Sequence, residues 1–120
     1  MQQFFGDVVK ETAGRKLYDI TPDLETWVKE QIISNGLLTI NIQHTSASLL
    51  INENYDSDVL VDLENFFSRL VLDGDRNFIH TTEGTDDMPA HIRTALTQTN
   101  LSLPIQNKKI LLGQWQGVFI

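Results

Sequence analysis

TPDLETWVKEQIISNGLLTINIQHTSAS, residues 21–48, decides the class of fold. Its first half reads as a helix. The Thr21 hydroxyl is placed to cap, Pro22 suits the first helical position because its missing N–H has no partner there, and Asp23 puts negative charge at the positive end of the helix dipole. Leu24, Trp27, Val28 and Ile32 then recur at helical spacing, and Asn35-Gly36 supplies a stop. The period changes at once. Leu38, Ile40 and Ile42 alternate with Thr39, Asn41 and Gln43, the pattern of a strand with one face against a core and one in water.

Outward from this unit, residues 4–9 and 15–19 read as short strands around a turn at Ala13-Gly14. Residues 48–51 read as a strand. Asp56-Ser57-Asp58 then caps a longer helix in which Val59, Leu60, Leu63, Phe66, Phe67 and Leu70 form one wide apolar stripe, with Leu60, Leu63, Phe67 and Leu70 expected to be core, ending before Asp73-Gly74. Residues 77–80 are expected to be a brief strand or an extended piece. Asp86-Asp87 before Pro89 open a third helix running through Ala95-Leu96, with the side chain of one aspartate as its cap. Strands are expected at 101–104, 110–113 and 117–120. Helices and strands interleave without regular βαβ units, so the reading is one α+β domain over residues 1–120, within the usual size of a single core.

Composition narrows the partners. The net charge is −7 and the nine basic residues are scattered, with Arg15-Lys16 and Lys108-Lys109 as the pairs. A protein that neutralises phosphates needs clustered Lys and Arg, so nucleic acid and anionic membranes are excluded as partners and a small-molecule substrate is expected. There is no cysteine, which rules out disulfides, thiolate catalysis and thiolate metal sites. The first residues carry neither a basic leader nor a continuous apolar run, and the cytoplasm is the expected compartment. Gly-x-x-x-x-Gly-Lys-Ser/Thr, Gly-x-Gly-x-x-Gly and Gly-x-Ser-x-Gly are all absent.

Chemistry concentrates around three histidines. His44 opens His44-Thr45-Ser46-Ala47-Ser48, His80 opens His80-Thr81-Thr82-Glu83-Gly84, and His91 follows Asp86-Asp87-Met88-Pro89-Ala90. Three imidazoles with carboxylates nearby have the donor types of a divalent metal site, Zn²⁺ or Mg²⁺, with room for water or substrate. The spacing matches no local zinc motif, and three separately hydrogen-bonded histidines are the alternative. Glu83, Asp86 and Asp87 repel one another unless a cation or a helix N-terminus relieves them. Gly84 marks a backbone position that a side chain would not fit. Asn52 and Glu53 follow an apolar strand, where ligand-facing residues or a plain loop both fit. Trp115, between two amides and two glycines in Gly113-Gln114-Trp115-Gln116-Gly117, suits packing in a core or at a subunit contact, or a wall for a flat ligand.

Taken together, His44-Thr45-Ser46-Ala47-Ser48 with Ile51-Asn52-Glu53-Asn54, then His80, Glu83-Gly84-x-Asp86-Asp87-Met88-Pro89-Ala90-His91-Ile92 and Leu112-Gly113-x-Trp115-Gln116-Gly117, resemble the YjbQ-like family, also labelled secondary thiamine-phosphate synthase. The resemblance implies an α+β fold with a mixed, β-sandwich-like sheet and about three helices, a homotrimer, and a polar pocket lined by His44, His80, Glu83, Asp86, Asp87 and His91. Members continue past Trp-Gln-Gly into further strand and basic residues, whereas this chain stops at Ile120.

Two functions stand side by side. In the first, the resemblance implies that a pyrimidine-methyl pyrophosphate loses pyrophosphate and the nitrogen of a thiazole phosphate attacks. The acidic loop of Glu83, Asp86 and Asp87 would hold a divalent ion and, with Asn52 and Glu53, stabilise charge, whereas a metal held by His44, His80 and His91 belongs to the second reading. Arg69, Arg76 and Arg93 are the candidate phosphate contacts, none placed by a motif. In the second, the protein is a homotrimer that binds a metal or small ligand without a dedicated catalytic role.

Overall fold

Thr21 begins the first helix but does not cap it. In the computed structural model, which describes residues 1–120, α1 spans Thr21–Glu30 and Ile20 occupies the cap position. The Thr21 amide donates to Asp19 Oδ1 at 2.9 Å, and the Thr21 hydroxyl instead accepts from the buried Val118 amide at 2.8 Å. The hydroxyl is therefore spent on joining the helix to a distant strand. α1 ends at Glu30, where Gln31 turns extended, so Ile32 lies beyond the apolar stripe and is exposed rather than packed. Thr21→Val keeps the shape and leaves that amide without an acceptor. It is expected to cost about 1–3 kcal/mol, read by chemical denaturation. An unchanged midpoint would show that the bond contributes nothing.

β1, Gly36–Asn41, keeps its alternation, with Leu38 buried and Ile40 half-buried. It pairs antiparallel with β3, Asn100–Gln106, bringing Leu38 opposite Leu103 and Gly36 opposite Ile105. A tight turn through Asn107 and Lys108, both at positive φ, leads into β4, Lys109–Ile110, which completes a three-stranded sheet. Lys108 donates its amide to Ser34 O at 2.8 Å and so ties this turn to the loop after α1. The second sheet pairs β2, Leu50–Glu53, with β5, Gln116–Phe119. Gly117 sits opposite Asn52 there, and a Cβ on it would lie 2.9 Å from the Asn54 Cβ, so only glycine fits. Ile20, Leu24 and Val28 pack with Leu38, Leu103, Ile105, Ile110, Leu49 and Val118 into one core. Two more helices follow β2 in sequence: α2, Ser57–Leu70, and α3, Asp87–Leu96. The α+β class with three helices is as expected, and every pairing in both sheets is antiparallel where a mixed sheet was expected.

Several expected elements take other forms. Residues 4–9 run beside the free edge of β1, where Phe4 and Val8 line a groove with Leu38 and Ile40, but no backbone hydrogen bond joins them and they are not a strand. Residues 15–19 form a single bridge, Asp19 to Phe119, and residues 77–80 pair with nothing, leaving Ile79 fully exposed. A strand needs a partner as well as an apolar pattern. The strand expected at 48–51 is shifted to begin at Leu50, which places Asn52 and Glu53 inside it, and that expected at 110–113 ends at Ile110.

The largest correction concerns α2. Asp56 caps it as expected, accepting from the Asp58 amide at 2.9 Å. None of its residues is buried, however, and Phe66 and Leu70 are about half exposed, so the stripe is not core of the single chain. The chain has a radius of gyration of 16.3 Å, against about 14 Å for a typical domain of this length, and extends over 51 Å on its long axis. No helix is long and apolar enough to cross a membrane.

Candidate metal centre

Gly84 turns the loop before α3 at φ +110°, a conformation closed to most side chains, as its sequence context suggested. The Gly74 amide donates to Thr85 O at 2.9 Å and pins the same loop. That turn brings His80 back over the start of α3. Asp87 and His91, one helical turn apart, share a face of α3. Asp86 occupies the cap position without accepting a helix N–H, so neither aspartate caps with its side chain. The Asp87 carboxylate is directed instead at the imidazoles.

Asp87 Oδ2 lies 2.8 Å from His80 Nε2 and 3.0 Å from His91 Nε2, and Glu83 Oε2 lies 3.2 Å from His80 Nε2. One ligand atom from each of His80, Glu83, Asp87 and His91 falls within 4.8 Å of the others, and the two rings are 5.4 Å apart. The Asp87 hydrogen bond is the main cause holding the His80 pKa above its usual value, helped by the charges of Asp87 and Glu83 and opposed by burial. The same bond from His80, first among its causes, holds the Asp87 carboxyl below the usual carboxylate range.

His91 constrains what lies between the rings. Its Nδ1 faces the Thr45 carbonyl at 2.8 Å. A carbonyl only accepts, so Nδ1 carries a proton. Neutral His91 then presents the lone pair of Nε2 to the Asp87 carboxylate, two acceptors at 3.0 Å. The contact needs a proton or a metal cation between them. A histidine that donates one nitrogen to a backbone carbonyl and offers the other to a cation is the arrangement that fixes ring orientation in metal sites.

The other sequence candidates are placed elsewhere. His44 accepts at Nδ1 from the Ser46 amide at 3.0 Å and from the Ser46 hydroxyl at 3.2 Å, and stands outside the four-residue group. Its loop contributes through the neighbouring Thr45 carbonyl, which no side-chain motif could signal. Asn52 Oδ1 accepts from the Glu53 amide at 2.7 Å and Glu53 Oε2 from the Asp56 amide at 3.3 Å, local bonds that organise the end of β2, and no hydrogen bond links either residue to the histidines. Trp115 packs on Tyr55, centroids 4.5 Å apart, and remains half exposed rather than core. Among the candidate arginines, Arg93 lies on α3. Burial first, then repulsion from Arg15, lowers its pKa, whereas Arg15, bonded to Asp73 at 2.8 Å, is raised.

Residues 8–120 match the family described as UPF0047 protein YjbQ-like. A Synechocystis relative, UPF0047 protein sll1880, is 48% identical over 94% of this chain and 77% of its own length. UPF0047 protein MJ1081 of Methanocaldococcus jannaschii is 36% identical over 99% of this chain and 83% of its own. Among solved structures, an uncharacterized conserved protein of the YjbQ/UPF0047 family from Clostridium acetobutylicum superposes with a TM-score of 0.82 at 31% identity, covering 92% of this chain and 83% of that one. With the fold and nearly the whole length in agreement, this chain belongs to the YjbQ-like UPF0047 family.

Proposed function

We propose that the protein is a divalent-metal-binding oligomer that holds its ion with His80, Asp87 and His91, with Glu83 beside them, and presents it to a small ligand. The observation that carries this reading is the convergence of His80 Nε2 and His91 Nε2 on one oxygen, Asp87 Oδ2, at 2.8 and 3.0 Å, with His91 Nδ1 turned to the Thr45 carbonyl. Two imidazoles with carboxylates suit Zn²⁺, whereas Mg²⁺ favours oxygen donors alone. Glu83, the most exposed of the four, is the donor that an incoming ligand would displace. Metal-stripped protein titrated with zinc is expected to bind one ion per chain at submicromolar concentration. Absence of stoichiometric binding would end this reading.

The assembly rests on exposed apolar surface. Only 14 of 120 residues are buried, while Val61, Phe66, Leu70, Ile79 and Leu96 stand in solvent, more than a stable monomer of this size readily tolerates. A homotrimer is the arrangement that the resemblance implies. Light scattering is expected to report three times the chain mass of 13.6 kDa; a monomer at micromolar concentration would contradict it.

Thiamine-phosphate synthase is the second reading, and its support is a cavity that shares α3 with the metal cluster and includes Asp86 and Arg93 in its lining. There the chain would position the two phosphorylated halves and stabilise developing charge. Product formation from a pyrimidine-methyl pyrophosphate and a thiazole phosphate, absent from an Asp87→Ala control, is the test.

A further inference from the structure

The Arg93 guanidinium has an edge with no partner. Its Nε and Nη2 are buried and neither donates a hydrogen bond. These two N–H groups project in parallel, the fork that grips two oxygens of one carboxylate or phosphate, and buried donors are ordinarily satisfied. Ala90, Arg93 and Thr94 on α3, with Thr97 just past its end, line a cavity of about 410 Å³ beside the face that carries Asp87 and His91. Arg15 and Lys16 line the same cavity, so three of the nine basic residues of an acidic chain meet there. Arg15 is answered by Asp73 at 2.8 Å, and Arg93 by nothing. Glu64 and Asp86 also reach the cavity, yet neither accepts from Arg93. The remaining wall is apolar, from Leu17, Leu50, Phe67 and Ile120, with the Ser46 and Ser48 hydroxyls at the other side.

We propose that this cavity binds a small ligand through a phosphate group seated on the Nε–Nη2 edge of Arg93, with Arg15 and Lys16 balancing its charge. Seating the phosphate requires the Arg93 side chain to rotate about its own torsions and turn that buried edge toward the open space. The apolar wall gives an organic body of the ligand a place to pack. The site does not rest on the metal centre, since its contacts are arginine and lysine; it deepens the second reading, whose cavity it shares, and is tested by binding alone, without product formation.

The test uses the full chain, stripped of metal with a chelator and dialysed, so that phosphate held by a metal ion is not counted. Inorganic phosphate and phenyl phosphate are titrated calorimetrically, and the Arg93 Nε–H resonance is followed by NMR. One saturable site per chain is expected, with the Arg93 resonance shifted. Arg93→Lys, which keeps the charge but loses the fork, and Arg93→Met are each expected to weaken binding about tenfold or more. The control Lys29→Met, the same change of charge on α1 outside the cavity, is expected to stay within about twofold, since screening weakens the pull of a distant exposed charge. Tighter binding of the ester identifies an organic phosphate as ligand, and equal affinity identifies free phosphate. The proposal is overturned by absence of saturable binding at millimolar concentration, or by equal losses in Arg93→Met and Lys29→Met. It is also overturned if wild type binds neither probe while Arg93→Met dissociates the oligomer, because Arg93 then meets a carboxylate of a second copy. Should neither Arg93 variant fold, an unshifted Arg93 resonance in the wild type overturns it equally.

Discussion

Replacing Asp87 by Ala is expected to lower zinc affinity about a hundredfold or more, because loss even of a group that only orients a ligand costs about 10–100-fold. Asp87 Oδ2 is the atom on which His80 and His91 both converge, so its removal takes away a donor and the charge that balances the ion. Competition against a chromogenic chelator measures the loss, and circular dichroism confirms that α3 still forms. His44→Ala serves as the contrast. Its imidazole is engaged by Ser46 and lies outside the cluster, so its effect is expected to stay within about threefold, well below the loss of a direct ligand. Equal losses in the two variants would show that the ion sits nearer His44 than the four-residue cluster allows. The wild-type affinity should also fall with pH. His80 holds its proton more tightly than an ordinary histidine, through its bond to Asp87, so protons begin to compete with zinc above about pH 6.5 and win progressively below it.

Phe119→Ala is expected to cost about 3–5 kcal/mol of stability, the range for a fully buried aromatic truncated in a core that cannot collapse around the void. Phe119 is 1% exposed, pairs with Leu50 across the second sheet and bridges to Asp19, so the cavity would open where that sheet meets the segment leading into α1. Leu63→Ala in α2 provides the comparison. It was expected to be core on its periodicity, but Leu63 is half-buried in the single chain, and its loss is expected to cost about 1 kcal/mol. Denaturation of both variants at one fixed protein concentration separates them, since assembly makes stability depend on concentration. A Phe119→Ala loss below about 1 kcal/mol would mean that the second sheet is not part of the cooperative core.

Much of the fold is legible in local pattern. The stop at Asn35-Gly36 and the change from period 3.6 to period 2 after it predict α1 and β1, because each element's own side chains must share one face. Asp56 caps α2 through a bond to Asp58 two residues on, and Gly84 marks its own backbone angle. What failed was whatever needs a distant partner. Residues 4–9 and 77–80 carry apolar residues but find no strand to pair with, and the α2 stripe has the right period but no opposing surface in its own chain. Thr21 looks like a cap from its neighbours, yet its hydroxyl goes to Val118, far along the chain.

The candidate site divides in the same way. The sequence by itself determined which residue types could hold a cation, namely histidines and the Glu83, Asp86, Asp87 loop, since donor chemistry belongs to the side chain. Only the tertiary structure decided that His80 and His91 meet on Asp87 while His44 turns to its own loop, because hydrogen-bond geometry over about 3 Å depends on how distant segments are brought together. It also decided that Thr45 contributes a carbonyl and that Arg93 is left with an unpaired edge. A backbone oxygen has the same chemistry at every position, and a missing partner leaves no mark in the order of residues, so neither could be read before the chain was folded.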